Sequence, residues 1–393
     1  MNTDIAKAVS DIIEDVKKNG DNAVLKYIKK FDGISFASLK DAKVSVKRIL
    51  SAEKNVDKKL KKAILSSYKN VKAFHQKEYL NIKKNWFFSD KSKTVGQIYN
   101  PIESVALYVP GGKFSYPSTV IMTAVAAKVA GVKRIVIVTP PKKMSDDVLF
   151  TAKVCGIDEI YSIGGPVAIA AVAYGTKTIS PVNMIVGPGN AYVNEAKRLV
   201  FGQVGIDSLA GPSEVAIIAD NGACKDYIYY DLMAQIEHDC MSKAYLFCAS
   251  DKIIGYLKQK IDKQFLKQIE MHKVSIEKAV ERVNEIAPEH LELLVKEPKK
   301  IVKYIRNAGA VFAGYNTATA VGDYWAGPSH VLPTNASAKY SSGLSVMTFL
   351  KRSSYIELKN INSEIKNQIA DFADAEGLVN HKKSIEVRKE QCK

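Results

Sequence analysis

The sequence predicts an α/β fold in which two units, each built around a mostly parallel sheet, are covered by helices. From about residue 104, short apolar runs rich in β-branched residues alternate with helical patterns. These runs are almost continuously apolar, which is typical of parallel strands buried on both faces. Glycine-rich turns follow two of the runs, and 393 residues suffice for two or three domains. The observations indicate two Rossmann-like units, with a small N-terminal helical arm and a C-terminal α+β tail.

The first predicted unit alternates strands and helices from residue 104 to about residue 202. Its strands are SVALYV, RIVIV, EIYSI and VNMIV, and its helices are STVIMTAVAAKVAG, DDVLFTAKVCG, VAIAAVAYG and AYVNEAKRLVFG. The second unit begins with the strand EVAIIAD, the helix KDYIYYDLMAQIEHD and the strand KAYLFCA, and it ends with the strand GAVFAG near residue 314. Residues 1–100 are mostly lysine-rich amphipathic helix, whereas GLSVMTFLKRSSYIELK is extended and precedes a final helical segment.

The charge of the chain does not indicate nucleic-acid binding. The net charge is +16, but only seven of the 57 basic residues are arginine, and the lysines are dispersed along the chain. A lysine-rich solvated surface explains this charge better. No run approaches the roughly 20 apolar residues of a membrane helix, and the first 20 residues lack the order of a secretory signal. We therefore predict a cytoplasmic protein without nucleic-acid or membrane partners.

Glycine-rich turns at the ends of predicted strands are candidate ligand sites. In VGPGNAYVNEAKRLV, residues 187–190 lie between a strand and a helix, where free N–H groups and the helix dipole attract phosphate. A plain helix cap by Asn190 explains the same pattern equally well. YVPGGKFSYPSTV repeats the arrangement, and Ser213 lies in a third polar loop, LAGPSEV. Because GxGxxG and Walker A motifs do not occur, the turns indicate no ordinary dinucleotide or ATP site.

Three segments carry side chains that can bind a metal: Gln235 and His238 in DLMAQIEHD, Asp323 and His330 in VGDYWAGPSHVLPT, and Glu376 and His381 in DAEGLVNHKK. The first pair is three residues apart on a predicted helix and shares one face, although a polar helix edge explains it better by itself. The second segment is dense in glycine and proline, which favours a functional loop. A surface helix end explains the third pair.

The segment NEIAPEHLELL places Glu289 and His290 side by side after Pro288. Proline suits the first position of a helix, and a glutamate just after it interacts favourably with the helix dipole. The local pattern therefore predicts a helix that begins at Pro288 and whose dipole keeps Glu289 ionised. Considered alone, the pair is better explained by a helix start than by catalysis.

Eight motifs considered together resemble the histidinol dehydrogenase family: YVPGG, VGPGNAYVNEAKR, AGPSEV, DLMAQIEHD, APEHLEL, GDYWAGPSHVLPT, SGLSV and AEGLVNH. They follow the family's order, and the resemblance extends from about residue 10 to residue 390. Each motif is weak by itself, but their order is very specific and outweighs the local alternatives. The family oxidises L-histidinol through L-histidinal to L-histidine, the last step of histidine biosynthesis, with two NAD and one zinc per active site.

The resemblance implies a zinc site formed by Gln235, His238, Asp323 and, from the other subunit of a homodimer, His381. Zinc would orient the amino and imidazole nitrogens of the substrate. The resemblance also implies that His290 accepts the alcohol proton, whereas Glu289 activates the water that attacks histidinal. The implied substrate contacts are the zinc ligands together with Ser213, His290, His330 and Glu376.

Tyr108 and Asn190 match positions that contact NAD in the family. The sequence departs from the pattern at Val167, where the family usually has glutamine, and at Pro166, where it usually has alanine. The missing polar contact is worth on the order of 1 kcal/mol. We therefore expect weaker NAD binding with intact chemistry.

We divide the chain into an N-terminal arm, two α/β domains and a tail exchanged in the dimer. The arm is 1–20, the domain with zinc and catalytic residues is 21–104 and 216–342, the NAD-side domain is 105–215, and the tail is 343–393. Other functions stay open: a related zinc- and NAD-dependent dehydrogenase of another small alcohol, a non-catalytic homologue, or, on charge alone, a nucleic-acid-binding protein. Intact metal and base positions argue against the non-catalytic homologue.

Overall fold

The N-terminal part of the chain is helical in the structure, a computed structural model that describes residues 3–82, 85–111, 115–237, 240–359 and 361–388. Its helices are α1 (Thr3–Asn19), α2 (Asp21–Asp32), α3 (Val46–Ala52) and α4 (Lys58–Asn81). Apolar residues recur in them at helical spacing. In α1, Val9, Ile12, Ile13 and Val16 form one buried face. The predicted amphipathic helix at the start of the chain is thus confirmed.

Strands of the described residues form three sheets. The strands are β1 (Trp86–Ser89), β2 (Lys93–Pro101), β3 (Ser104–Tyr108), β4 (Arg134–Thr139), β5 (Glu159–Ser162), β6 (Met184–Val186), β7 (Gly205–Ile206), β8 (Glu214–Ala219), β9 (Lys243–Cys248), β10 (Ile269–Lys273), β11 (His290–Leu294), β12 (Ala310–Ala313) and β13 (Leu350–Leu358). β3–β7 form the first sheet and β8–β12 the second sheet, both parallel. β1, β2 and β13 form a small antiparallel sheet.

The remaining helices connect the strands or follow the last one. They are α5 (Pro117–Ala130), α6 (Asp146–Val154), α7 (Gly165–Tyr174), α8 (Ala191–Val200), α9 (Lys225–Ile236), α10 (Asp251–Lys260), α11 (Ile276–Ile286), α12 (Pro298–Val302), α13 (Thr319–Tyr324), α14 (Ser363–Ala375) and α15 (Val379–Glu386). None of the helices in the described ranges is long and apolar enough to cross a membrane.

The two parallel sheets share one strand order. The first sheet has the order β5-β4-β3-β6-β7 and the second has β10-β9-β8-β11-β12. In each sheet the first three strands are added towards one edge and the last two towards the other, so the strand order switches beside the first strand. The inner strands β3, β4, β8 and β9 are mostly buried apolar runs, as a sheet covered on both faces requires. The predicted α/β fold with two Rossmann-like units is confirmed.

By its contacts the chain forms two compact units, of which the first comprises Met1–Tyr79 and Ile102–Phe349 and contains both parallel sheets. The second unit comprises Leu80–Pro101 and Leu350–Lys393 and contains the small sheet, α14 and α15. Within the first unit, α1 and α2 share a hydrophobic core with the first sheet. The finer division at residues 20, 104, 215 and 342 stays a prediction.

One sequence-based prediction of secondary structure is wrong. No helix begins at Pro288; instead helix α11 ends before it, and strand β11 follows at His290. Ala287, with φ 53°, takes the left-handed conformation that reverses the chain after a helix. The prediction that residues 1–100 are mostly helical is confirmed, and the strands β1 and β2 occupy the end of that region.

Candidate functional site

A cleft of about 630 Å³ lies between the two parallel sheets. Residues that follow β3 and β6 line its first side, and residues that precede β8 and β11 line its opposite side. The cleft therefore meets the carboxyl ends of central strands in the first sheet and the amino ends of central strands in the second. It brings together six residues predicted from the sequence: Asn190, Ser213, Glu289, His290, Asp323 and His330.

The loop at residues 187–190 forms the first side of the cleft. Asn190 caps helix α8, because its Oδ1 accepts the backbone N–H groups of Tyr192 and Val193, each at 3.1 Å. Gly187 has φ 114°, and a Cβ atom there would lie 2.3 Å from the carbonyl oxygen of Tyr108. Only glycine fits this close approach. The cap predicted for Asn190 is confirmed, and its exposed side chain also borders the cleft.

A buried ion pair supports this loop from below. Lys197 on α8 is 1% exposed and pairs with Asp207. Its Nζ also donates to the carbonyl of Gly187 at 3.1 Å, and Asp207 Oδ2 accepts the Gly187 N–H at 2.7 Å. The pair therefore holds both polar groups of one residue in the turn.

The second side of the cleft carries the two predicted bases. Helix α11 ends, Ala287 reverses the chain, and Glu289 enters the cleft just before β11. Its carboxylate lies 3.8 Å from His290 Nδ1, and both residues are buried, at 6% and 7% exposure. β11 is paired on both sides, by β8 and β12, which fixes the backbone that carries the pair.

The charge state of Glu289 depends on burial and not on a helix dipole. Burial raises the pKa of Glu289 to about 8, and hydrogen bonds from the Ser213 side chain and the Glu214 amide oppose this rise. The negative charges of Asp323 and Glu214 raise it further. The predicted ionisation by a helix dipole is thus wrong, because no helix starts there.

Asp323 and His330 border the cleft from the segment between β12 and β13. Asp323 belongs to the short helix α13, and the His330 ring is held by a contact of 3.2 Å between its Nδ1 and the carbonyl of Asp323. A carbonyl can only accept, so Nδ1 carries the hydrogen. Gln235 lies in the last turn of α9, is 3% exposed and is not among the residues that line the cleft.

A carboxyl pair lies behind these residues. Glu292 on β11 is fully buried, and its Oε1 accepts the backbone N–H and the hydroxyl of Thr319 at 3.0 and 2.6 Å. Asp231 on α9 is the carboxyl that acts most strongly on it. Burial, and then the charge of Asp231, raises the pKa of Glu292. Glu292 thus joins β11, α9 and α13, which carry His290, Gln235 and Asp323.

Other predicted site residues are not in the cleft lining. Tyr108 is buried, and its hydroxyl accepts the N–H of Gly165 at 3.1 Å. Val167 is 2% exposed in the core around α7. Glu376 and His381 are exposed in the second unit. His238 lies outside the described residues.

Four charged residues at or behind the cleft are not among those predicted from the sequence: Lys197, Asp207, Asp231 and Glu292. A signal for Lys197 exists, because it shares the apolar stripe of α8 with Val193, Ala196 and Val200 at spacings of three, four and seven residues. A charged residue on such a stripe needs a buried partner. The carboxyl pair has no comparable signal, since its members are distant in sequence.

Comparisons with known proteins agree in one family. The sequence model described as histidinol dehydrogenase matches residues 1–389. The chain is 44% identical to "Histidinol dehydrogenase 2" of Trichormus variabilis, covering 98% of this chain and 92% of the relative. It is 46% identical to the histidinol dehydrogenase of Pelagibacter ubique, covering 97% and 92%.

A solved structure is similar over almost the whole chain. The crystal structure of histidinol dehydrogenase from Elizabethkingia anophelis superimposes with a TM-score of 0.91 at 33% sequence identity. The match covers 98% of this chain and 92% of that chain.

Proposed function

Because this chain belongs to the histidinol dehydrogenase family and is an oxidoreductase, we propose that it oxidises L-histidinol through L-histidinal to L-histidine. The single observation that carries the proposal is the buried pair of Glu289 and His290, 3.8 Å apart, in a cleft that also contains Asp323 and His330. Two proton acceptors suit a reaction with two oxidations, one from an alcohol and one from a hydrated aldehyde.

The first side of the cleft fits NAD. Gly189 has no room for a side chain, because a Cβ atom there would lie 2.4 Å from Val193, and its backbone borders the cleft at the start of α8. The positive end of the α8 dipole at this helix start suits a pyrophosphate. When bound, NAD accepts one hydride in each oxidation. Among the family's contact positions, Asn190 borders the cleft, whereas Tyr108 and Val167 are buried and do not line it. Weaker NAD binding caused by the valine stays an expectation from the sequence.

The second side of the cleft fits zinc. Gln235 Nε2 is buried and has no hydrogen-bond partner among the described residues, so this amide, whose oxygen and nitrogen assignments are interchangeable, suits a ligand that the structure does not contain. Its oxygen, the carboxylate of Asp323 and the imidazole of His238 are donors that zinc accepts. No group of three or more His, Cys, Asp or Glu side chains forms a metal site in the described ranges, which exclude His238. Zinc would orient the amino and imidazole nitrogens of the substrate.

His290 and Glu289 divide the proton transfers. In the first oxidation, His290 removes the hydroxyl proton while hydride leaves the carbinol carbon. In the second, Glu289 removes a proton from the water that adds to the aldehyde, and His290 assists the second loss of hydride. Glu289 must be ionised for this role. The charge of Asp323 raises the pKa of Glu289, and a cation held by Asp323 would offset this charge and favour the ionised state.

We propose a homodimer in which the partner subunit's His381 completes the metal site. Glu376 and His381 are exposed on the second unit, near apolar side chains that are also exposed: Ile369, Phe372, Leu378, Val379 and Val387. An exposed apolar group of this kind is typical of a protein interface. The proposed location is the cytoplasm, without nucleic-acid or membrane partners.

One assay tests the proposed function. Purified protein is incubated with NAD and limiting L-histidinol, and NADH and histidine are quantified with and without a chelator. We expect about two NADH for each histidinol, and a loss of turnover once the metal is removed. Fewer than two NADH with accumulated histidinal would exclude the two-step reaction. Turnover of another small alcohol in preference to histidinol would favour the related dehydrogenase.

A further inference from the structure

We propose that the buried ion pair of Lys197 and Asp207 is a positioning device that holds the loop at residues 187–190 ready for the dinucleotide. The inference rests on the proposed use of NAD. Both residues border the cleft, and their side chains are only 1% and 5% exposed. They are positioning residues, since the group they bind directly is the protein backbone.

The pair fixes the turn through Gly187. Asp207 accepts its N–H at 2.7 Å, and Lys197 donates to its carbonyl at 3.1 Å. The two side chains also bind each other. Consequently, neither peptide group of Gly187 can rotate without breaking a charge-assisted hydrogen bond.

Gly187 needs such a restraint. Its φ of 114° and its close approach to the Tyr108 carbonyl require glycine, and glycine has the softest backbone of all residues. The next three residues lead directly into α8, and the positive end of its dipole would face the phosphates. An unrestrained turn would have to be ordered when NAD binds, which weakens binding.

The same network reaches the catalytic side. Asp207 Oδ1 accepts the N–H of Ser208 at 2.7 Å. Asn194 donates to the carbonyls of Gly189 at 3.0 Å and Ala210 at 2.7 Å. This ties the turn to the segment that ends at Ser213, whose side chain is hydrogen-bonded to Glu289. The ion pair thus sets the spacing between the dinucleotide loop and one proposed base.

Stability alone does not account for the pair. Removing a lysine and an aspartate from water carries a large desolvation penalty, and an apolar pair of similar volume often stabilises a fold equally well. The next residue, Arg198, pairs with Glu195 at the surface, where such a bond contributes little. It provides a matched control on the same helix.

The test is a double-mutant cycle with Lys197→Met, Asp207→Asn and the combined variant, with Arg198→Met as control. The Kd for NAD is titrated on the enzyme without histidinol, and KM for NAD, KM for histidinol, kcat and thermal unfolding are measured beside it. We expect each single variant to raise the Kd for NAD on the order of tenfold, and the combined variant to raise it less than the product of the two. KM for histidinol should change much less. Folded variants that keep the parent's Kd for NAD would overturn the proposal.

A measurement on the unaltered protein avoids variants that fail to fold. Hydrogen exchange at the Gly187 amide should be slow before NAD is added, because Asp207 already accepts that N–H. Fast exchange that becomes slow only with NAD would contradict a preformed loop. If the parent binds no NAD but protects Gly187, the proposed function fails while the restraint of the turn stands. If the parent binds NAD and its loop exchanges fast, only the positioning role fails.

Discussion

The carboxylate of Glu289 lies 3.8 Å from the imidazole of His290, although the two residues are consecutive in the chain. Consecutive residues of a strand point to opposite faces. Glu289 escapes this alternation because it precedes β11, directly after the reversal at Ala287. The pair therefore shares one buried corner, and β11 keeps both residues in place.

Replacing Glu289 with glutamine should separate the two oxidations. The amide keeps the size and the hydrogen bonds of the side chain but cannot remove a proton from water. We expect oxidation of histidinal to fall by roughly 10²–10⁴-fold, the usual contribution of a general base, while oxidation of histidinol changes only a few-fold. NADH released per histidinol should drop towards one. The exposed Glu297→Gln variant serves as control, and an unchanged yield of histidine in Glu289→Gln would disprove the assigned role.

The pH dependence of aldehyde oxidation should report the ionisation of Glu289. Burial raises the pKa of Glu289 to about 8, so the active carboxylate becomes more abundant as pH rises. We expect kcat/KM for histidinal to increase with pH and to level off above the pKa, and metal at Asp323 should shift the rise to lower pH. Rates are measured at constant ionic strength. A profile that falls with pH over the same range would contradict this assignment.

Replacing Glu292 with glutamine should change how stability depends on pH. Burial and Asp231 raise the pKa of Glu292 from 4.5, so the folded state holds a proton that the unfolded chain releases as pH rises above that value. Wild-type stability therefore falls with increasing pH through this window, and a neutral glutamine removes the contribution. We compare the difference in melting temperature between Glu292→Gln and wild type at acidic and at alkaline pH. Raising the pH should shift this difference in favour of the variant by several degrees. Equal pH dependence in both proteins would argue against a raised pKa of Glu292.

Replacing Val167 with glutamine should lower KM for NAD by several-fold if the missing polar contact weakens binding. Because Val167 is 2% exposed, the substitution also buries an amide and should lower the melting temperature. Val172→Gln on the same helix is the matched control, since Val172 is fully buried. It should lose stability without improving KM. An unchanged KM in folded Val167→Gln would refute weakened binding.

Mixing two inactive variants tests the shared active site. His381→Asn removes a proposed ligand on the second unit, and His290→Phe removes a base on the first unit. In a dimer with shared sites, each mixed dimer has one intact site, so random exchange restores about a quarter of wild-type activity. Activity is assayed after the subunits are dissociated and reassociated together. Complete inactivity of a verified mixed dimer would place the whole site in one subunit.

The sequence predicts the fold well where local pattern and burial agree. Apolar runs at β3, β4, β6 and β8 are strands in the structure, and the glycine turn after β6 is at the cleft. The error at Pro288 has a physical reason. Proline occurs both at the first position of helices and just after their ends, and the usual sign of an end, glycine, is replaced here by Ala287.

The charge states of the site could not be predicted from neighbouring residues. The pKa of Glu289 is raised mainly by burial. Ser213, Glu214 and Asp323, which the fold brings around it from distant parts of the chain, also change this pKa. Burial of Glu292 beside Asp231 depends in the same way on the packing of α9 against the second sheet. Sequence patterns identify such residues as polar, but only the fold determines which proton each one holds.

The opposite strand ends that meet at the cleft have an evolutionary consequence. The two parallel sheets have the same strand order, as copies of one ancestral domain would. One sheet lines the cleft with loops that follow its strands, and the other with loops that precede its strands. Their functional positions are therefore not equivalent, and selection on the two copies acts on unrelated segments. A shared origin would be visible in the architecture while leaving no repeated motif in the sequence.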